Sequence, residues 1–85
     1  MTNEDLKINS VVEKYVRKRG LVGKFEKQLK QLERNPRHPG LRVELLEPKK
    51  QGIYSFRVDK KYRALFMFRE DKQVIEILAV TDHYQ

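Results

Sequence analysis

The sequence predicts an α+β fold, with two N-terminal helices packed on one face of a four-stranded antiparallel sheet. Three observations predict it. Apolar residues recur at helical spacing through the first third of the chain, and then alternate. The alternating runs are joined by short loops, the order expected when strands pair antiparallel and helices gather on one face. The 85 residues leave room for a single domain, 1–85, built on one core. There is no internal repeat, low-complexity stretch or linker.

The first helix is predicted from Asn3 to Arg19, where Ile8, Val11, Val12, Tyr15 and Val16 form one face. Thr2 or Asn3 can cap it, Glu4 and Asp5 suit the positive end of its dipole, and Gly20 stops it. The second is predicted from Leu21 to Arg34 on Leu21, Val22, Phe25, Leu29 and Leu32, and ends at Asn35-Pro36. Together they read as an antiparallel hairpin. After the turn Asn35 to Gly40, Leu41, Val43 and Leu45 alternate with Arg42 and Glu44 as a half-buried strand. A loop from Pro48 to Gly52 leads to a second strand on Tyr54, Phe56 and Val58. Tyr62 to Arg69 is apolar on both faces and is predicted to be central. Glu70-Asp71-Lys72 is a turn, Val74 to Val80 is the fourth strand, and Thr81 to Gln85 is a short tail.

Composition narrows the function. Nineteen Lys and Arg against twelve Asp and Glu give a net charge of +7 and a pI near 9.8. Such an excess favours a polyanion or an acidic protein as partner. The absence of cysteine excludes a disulfide framework, thiolate chemistry and cysteine zinc sites, and fits a cytoplasmic protein. No apolar run approaches the ~18 residues of a membrane helix, and MTNEDLKINS does not read as a secretory signal, so no membrane association is expected. The four glycines form no phosphate-binding fingerprint, there is no serine triad, and two distant histidines make no metal motif; neither cofactor nor metal is expected.

One hairpin carries a candidate for chemistry. A three-residue loop, Asp59-Lys60-Lys61, makes Val58 face Tyr62, Phe56 face Ala64 and Tyr54 face Phe66, all on one apolar face. Arg57 then stands opposite Arg63 on the other face. Like charges so placed are destabilising. Two guanidiniums, always charged and shaped for phosphate oxygens, would make a site for a phosphate or a phosphorane. The alternative is that both point to solvent beside Glu44 or another carboxylate. His83 near the chain end can titrate near neutrality, or simply be solvated. Tyr84 can stack on a base, or anchor on the sheet.

From about Phe25 to Tyr84 the chain resembles the RelE/ParE toxin superfamily of bacterial toxin–antitoxin systems. The resemblance rests on NPRHPGLRVELL after a helix, on GIYSFRVDKKYRALF, and on the terminal His-Tyr. The segments are most similar to the YoeB-like ribonuclease branch. That resemblance implies Glu44 as general base, Arg57 and Arg63 as stabilisers of the phosphorane, His83 as general acid and Tyr84 as the residue that orients the base. It implies a type II toxin that cuts mRNA in the ribosome without metal, and a cognate acidic antitoxin as partner. Arg42, Lys49, Lys50, Lys60 and Lys61 are the RNA-contacting cations on this reading. The ParE branch, which poisons DNA gyrase, and a non-catalytic relative that binds only antitoxin and nucleic acid are the alternatives. One departure stands out: the superfamily opens with a strand, whereas this chain is expected to start directly into a helix. The first edge strand would then be missing, leaving a sheet edge open for a homodimer.

Overall fold

A computed structural model of the chain describes residues 6–69 and 74–83. Its elements are β1 (Leu6–Ile8), α1 (Ser10–Lys18), α2 (Val22–Arg34), β2 (Glu44–Leu45), β3 (Tyr54–Arg57), β4 (Arg63–Arg69) and β5 (Val74–Thr81). The strands form one sheet in the order β1-β5-β4-β3-β2, which puts β4 at the centre as its two-sided apolar sequence predicts. The α+β class is as expected, but the sheet has five strands and is mixed. The strand expected to be missing is present: β1 pairs parallel with β5, Leu6 against Ile75 and Ile8 against Ile77. The edge expected to be open is therefore occupied.

The first helix accordingly starts later than its apolar spacing suggests. Asn9 is the N-cap, its Oδ1 accepting from the Val12 backbone N–H at 2.9 Å. Ile8 belongs to the strand, and Val11 is exposed while Val12 and Val16 are buried. The caps and first-turn acids expected at Thr2, Asn3, Glu4 and Asp5 lie outside the described residues. Gly20, at φ +67°, ends α1 as expected. The Gly20 N–H donates to the Arg17 carbonyl and the Leu21 N–H to the Val16 carbonyl, which satisfies two of the helix's last acceptors. α2 then brings Phe25, Leu29 and Leu32 onto the sheet.

The core lies between the helices and one face of the sheet. Phe56, Ala64, Phe66 and Ile77 are fully enclosed, with Val12, Val16, Phe25, Leu29 and Leu32 above them. The Phe25 and Phe56 rings stack at 6.3 Å, and Phe66 lies 5.7 Å from Phe56. The segment expected as a strand from Leu41 differs. Pro39–Leu41 is a single 3₁₀ turn that drives Leu41 into the core, Arg42 follows at φ 48°, and pairing begins only at Glu44. Gln28 ties this turn to the sheet, its amide donating to the carbonyls of Gly40 at 3.2 Å and Arg57 at 2.7 Å.

Candidate functional site

Because the helices cover the face that carries Phe56 and Phe66, alternate residues project from the other face. The β3–β4 register is the one the apolar pattern predicts: Tyr54 opposes Phe66, Phe56 opposes Ala64 and Arg57 opposes Arg63. Arg63 in turn pairs with Thr81 on β5, and Glu44 pairs with Ser55 across β2 and β3. The uncovered face thus presents Arg57, Arg63 and Thr81 in one row, with Glu44 and Ser55 in the next.

Arg63 is the best-held cation of this face, with its side chain only 12% exposed. Its Nε donates to Ser55 Oγ at 3.2 Å and its Nη2 to the same oxygen at 2.8 Å. The Nη2 also donates to the Arg42 carbonyl at 2.6 Å. Glu44 Oε1 lies 3.5 Å from Nη2, on a side chain that is 57% exposed. The guanidinium is thereby fixed in place while the carboxylate beside it stays open to solvent. Arg57 stands opposite at the backbone, but its head is drawn the other way, Nε donating to the Asp59 carbonyl at 3.3 Å. Different acceptors thus reduce the repulsion between the two charges.

The turn that joins β3 and β4 is built by Asp59. Its Oδ1 accepts from the backbone N–H groups of Lys61 and Tyr62, both at 2.8 Å, and its Oδ2 meets Lys24 Nζ at 3.2 Å. Burial pushes the Asp59 carboxyl upward, but those two backbone donors and Lys24 outweigh it and hold its pKa below the ordinary value. Lys60 and Lys61 sit exposed in this turn, near the arginine pair, with Lys61 Nζ 3.9 Å from Asp82 Oδ2. Lys49 and Lys50 lie in a 3₁₀ turn between β2 and β3, at the far end of that hairpin. The five basic candidates therefore do not form one cluster.

His83 is not brought to the arginines. Its side chain is 92% exposed and its Nε2 faces Asp82 Oδ1 at 3.4 Å, while its backbone N–H donates to Thr81 Oγ1 at 3.0 Å. It follows closely on Thr81, which pairs with Arg63, so it stands at the β5 side of the face that Glu44 borders on the β2 side. Tyr84 lies outside the described residues. Among the described residues no group of three His, Cys, Asp or Glu side chains could hold a metal ion, and no helix is long and apolar enough to cross a membrane. Sequence reasoning did not single out Ser55. A serine in a strand carries no sign of what it will hold, although the predicted register already sets it on the polar face.

Comparison with known proteins agrees with this architecture. A family model described as the RelE-like toxin of the type II toxin–antitoxin system HigB matches residues 3–83. No curated protein sequence matches the chain. Among solved structures, the YoeB/ParE toxin from Agrobacterium tumefaciens superposes with a TM-score of 0.74 at 20% identity, covering 94% of this chain and 99% of that one. The toxin chain of the YoeB-YefM complex from Staphylococcus aureus gives 0.70 at 22% identity, covering 93% and 95%. The YoeB dimer from the same organism gives 0.69 at 24%, covering 94% and 97%. At these identities the likeness to the solved structures is one of fold, and it is the family match over nearly the whole chain that assigns it. The chain belongs to the RelE-like, HigB-type toxins of type II toxin–antitoxin systems.

Proposed function

We propose that this toxin is a ribosome-dependent endoribonuclease that cuts mRNA by acid–base chemistry and thereby halts translation in the cytoplasm. The observation that carries the reading is Arg63, a largely buried cation held on the uncovered sheet face with a solvent-open carboxylate, Glu44, beside it. RNA cleavage needs a base, an acid and fixed positive charge at the phosphate. On this reading Glu44 takes the proton from a ribose 2′-OH, and the 2′ oxygen attacks the adjacent phosphorus. Arg63, with Arg57, stabilises the charge of the phosphorane. The bond from phosphorus to the 5′ oxygen then breaks, that oxygen takes a proton from the His83 imidazolium, and a 2′,3′-cyclic phosphate remains. Glu44 and the chain segment of His83 approach from opposite sides of the arginine row, which supports separate roles as base and acid. His83 must swing from Asp82 toward the row, and its exposure leaves it room to do so. Tyr84 would orient the base, with Arg42, Lys49, Lys50, Lys60 and Lys61 along the RNA.

The net charge of +7 supports an acidic antitoxin as the neutralising partner. The solved YoeB-YefM complex and YoeB dimer support an antitoxin partner and self-association in the same way, as properties of fold relatives. The test is a purified translation system programmed with an mRNA that carries a single 2′-deoxy nucleotide at a mapped cut. The proposal expects cleavage of the all-ribose message to a cyclic phosphate end, and none at the deoxy position. Cleavage that ignores the missing 2′-OH overturns the mechanism. Arrest of growing cells with intact mRNA would move the reading to a gyrase-directed toxin.

A further inference from the structure

The residues that hold Arg63 are not those that a search for acids and bases would select. Ser55 is wholly buried, the one charged or polar side chain so enclosed among the described residues. Its oxygen accepts from both Nε and Nη2 of Arg63. The third bond comes from a main-chain carbonyl with an uncommon origin. Arg42 has φ 48° and ψ 52°, a left-handed conformation that is disfavoured for a residue with a Cβ. It is the only described non-glycine residue with positive φ. Its neighbours in sequence explain how it is held there. Leu41 is locked into the core and the Arg42 N–H donates to the Pro39 carbonyl at 3.3 Å, so the chain must turn at Arg42. The turn aims the Arg42 carbonyl at Arg63 Nη2, at 2.6 Å. Strained backbone of this kind persists only where surrounding structure enforces it, and it gathers at functional sites.

We infer that Ser55 and the main-chain carbonyl of Arg42 are positioning elements: they fix the Arg63 guanidinium in its working orientation before any RNA arrives. The inference rests on the proposed nuclease reading and deepens it. A long arginine side chain loses its rotamer freedom on binding a phosphate. Here that ordering is already done, so the charge is in place as the phosphorane forms. Arg42 thereby acts through its backbone, whatever its side chain does on the surface.

The test combines cleavage kinetics on programmed ribosomes with proton exchange at the Arg63 Nε–H, followed by nuclear magnetic resonance. Ser55→Ala is expected to speed that exchange about tenfold and to lower kcat by roughly tenfold to a hundredfold, with KM changed less than about threefold, since the lost interaction acts on the transition state. Ser55→Thr, which keeps the hydroxyl, is expected to recover most of both. Should Ser55→Ala fail to melt cooperatively, Ser55→Cys, with its much weaker acceptor, is measured instead. Arg42→Val strongly disfavours a positive φ yet keeps the N–H that donates to Pro39, whereas Arg42→Gly takes it freely. Both lack the Arg42 side chain, so the difference between them reports the carbonyl, and Arg42→Gly is expected to be about tenfold the more active. An unchanged kcat in a folded Ser55→Ala, a Ser55→Thr as impaired as Ser55→Ala, or equal activity of the two Arg42 variants overturns the inference. If the wild-type chain cuts no mRNA, the nuclease reading fails, and exchange alone decides the clamp: slow exchange lost in Ser55→Ala upholds it, and fast exchange in the wild type removes it.

Discussion

Arg57→Gln keeps a side chain of similar reach and one donor, but removes the charge that faces Arg63 across the β3–β4 ladder. Favourable cross-strand pairs contribute about 0.2–1 kcal/mol, and directly opposed like charges destabilise a sheet on the same scale. Here Arg57 leans to the Asp59 carbonyl and Arg63 to Ser55 and Arg42, so the penalty sits toward the low end, about 0.5 kcal/mol. For a domain of this size that is a rise in melting temperature of about 2–4 °C. The 3.3 Å bond from Nε to the Asp59 carbonyl is long, and the glutamine amide can replace it in part. Salt screens such a pair only in part, because Arg63 is largely buried and facing residues lie well within the Debye length of about 10 Å at about 0.1 M salt. The stability advantage of Arg57→Gln should therefore persist as salt rises and shrink only modestly. Cleavage should fall by roughly 10²-fold, the scale of losing one preorganised contact to a developing charge. Thermal melts at several salt concentrations, beside cleavage on programmed ribosomes, test both halves. A variant that melts lower than wild type at low salt would refute the placement of the two charges.

Other substitutions separate structure from chemistry. Glu44→Gln should lower cleavage by roughly 10²–10⁴-fold, as removal of a general base does, and change the melting temperature little, because the carboxylate is open to solvent and Arg63 keeps its bonds to Ser55 and the Arg42 carbonyl. Asp59 is held below its ordinary pKa, so its contribution to stability is complete above that value and is lost as pH falls through the lower folded value. Denaturant melts of wild type and Asp59→Asn from neutral pH down to about pH 2 should differ by a constant amount above about pH 5 and converge at the acid end; parallel curves down to the lowest pH would count against the turn described. A chain that begins at Asn9 lacks β1 and bares the edge of β5, so sedimentation should show it associating more strongly than the intact chain.

How much of this was legible in the sequence depends on the range of the interaction. The β3–β4 hairpin is local, and Tyr54, Phe56 and Val58 against Tyr62, Ala64 and Phe66 admit one register only, so the Arg57–Arg63 pairing could be read directly. β1 could not. Three residues are too few to show alternation, Ile8 also fits the spacing of Val11 and Val12, and its partner β5 lies at the far end of the chain. Asn9 was the available sign, since a capping residue inside a helical pattern marks a later start. Leu41, Val43 and Leu45 alternate as a strand would, yet Pro39 and Gly40 impose a turn that sends Leu41 into the core. Ser55 and the Arg42 carbonyl were hidden for another reason. A rotamer and a positive φ on a non-glycine residue leave no trace in a one-letter code, so the hold on Arg63 is visible only in three dimensions.

The most direct test of the account is induced expression in bacteria of the wild-type chain beside Arg63→Ala, with mRNA ends mapped by primer extension. The account predicts growth arrest with new cuts inside translated codons for the wild type, and neither for a folded Arg63→Ala. Cuts that persist undiminished in Arg63→Ala would contradict it, because the fixed cation at the centre of the site would then have no part in the chemistry.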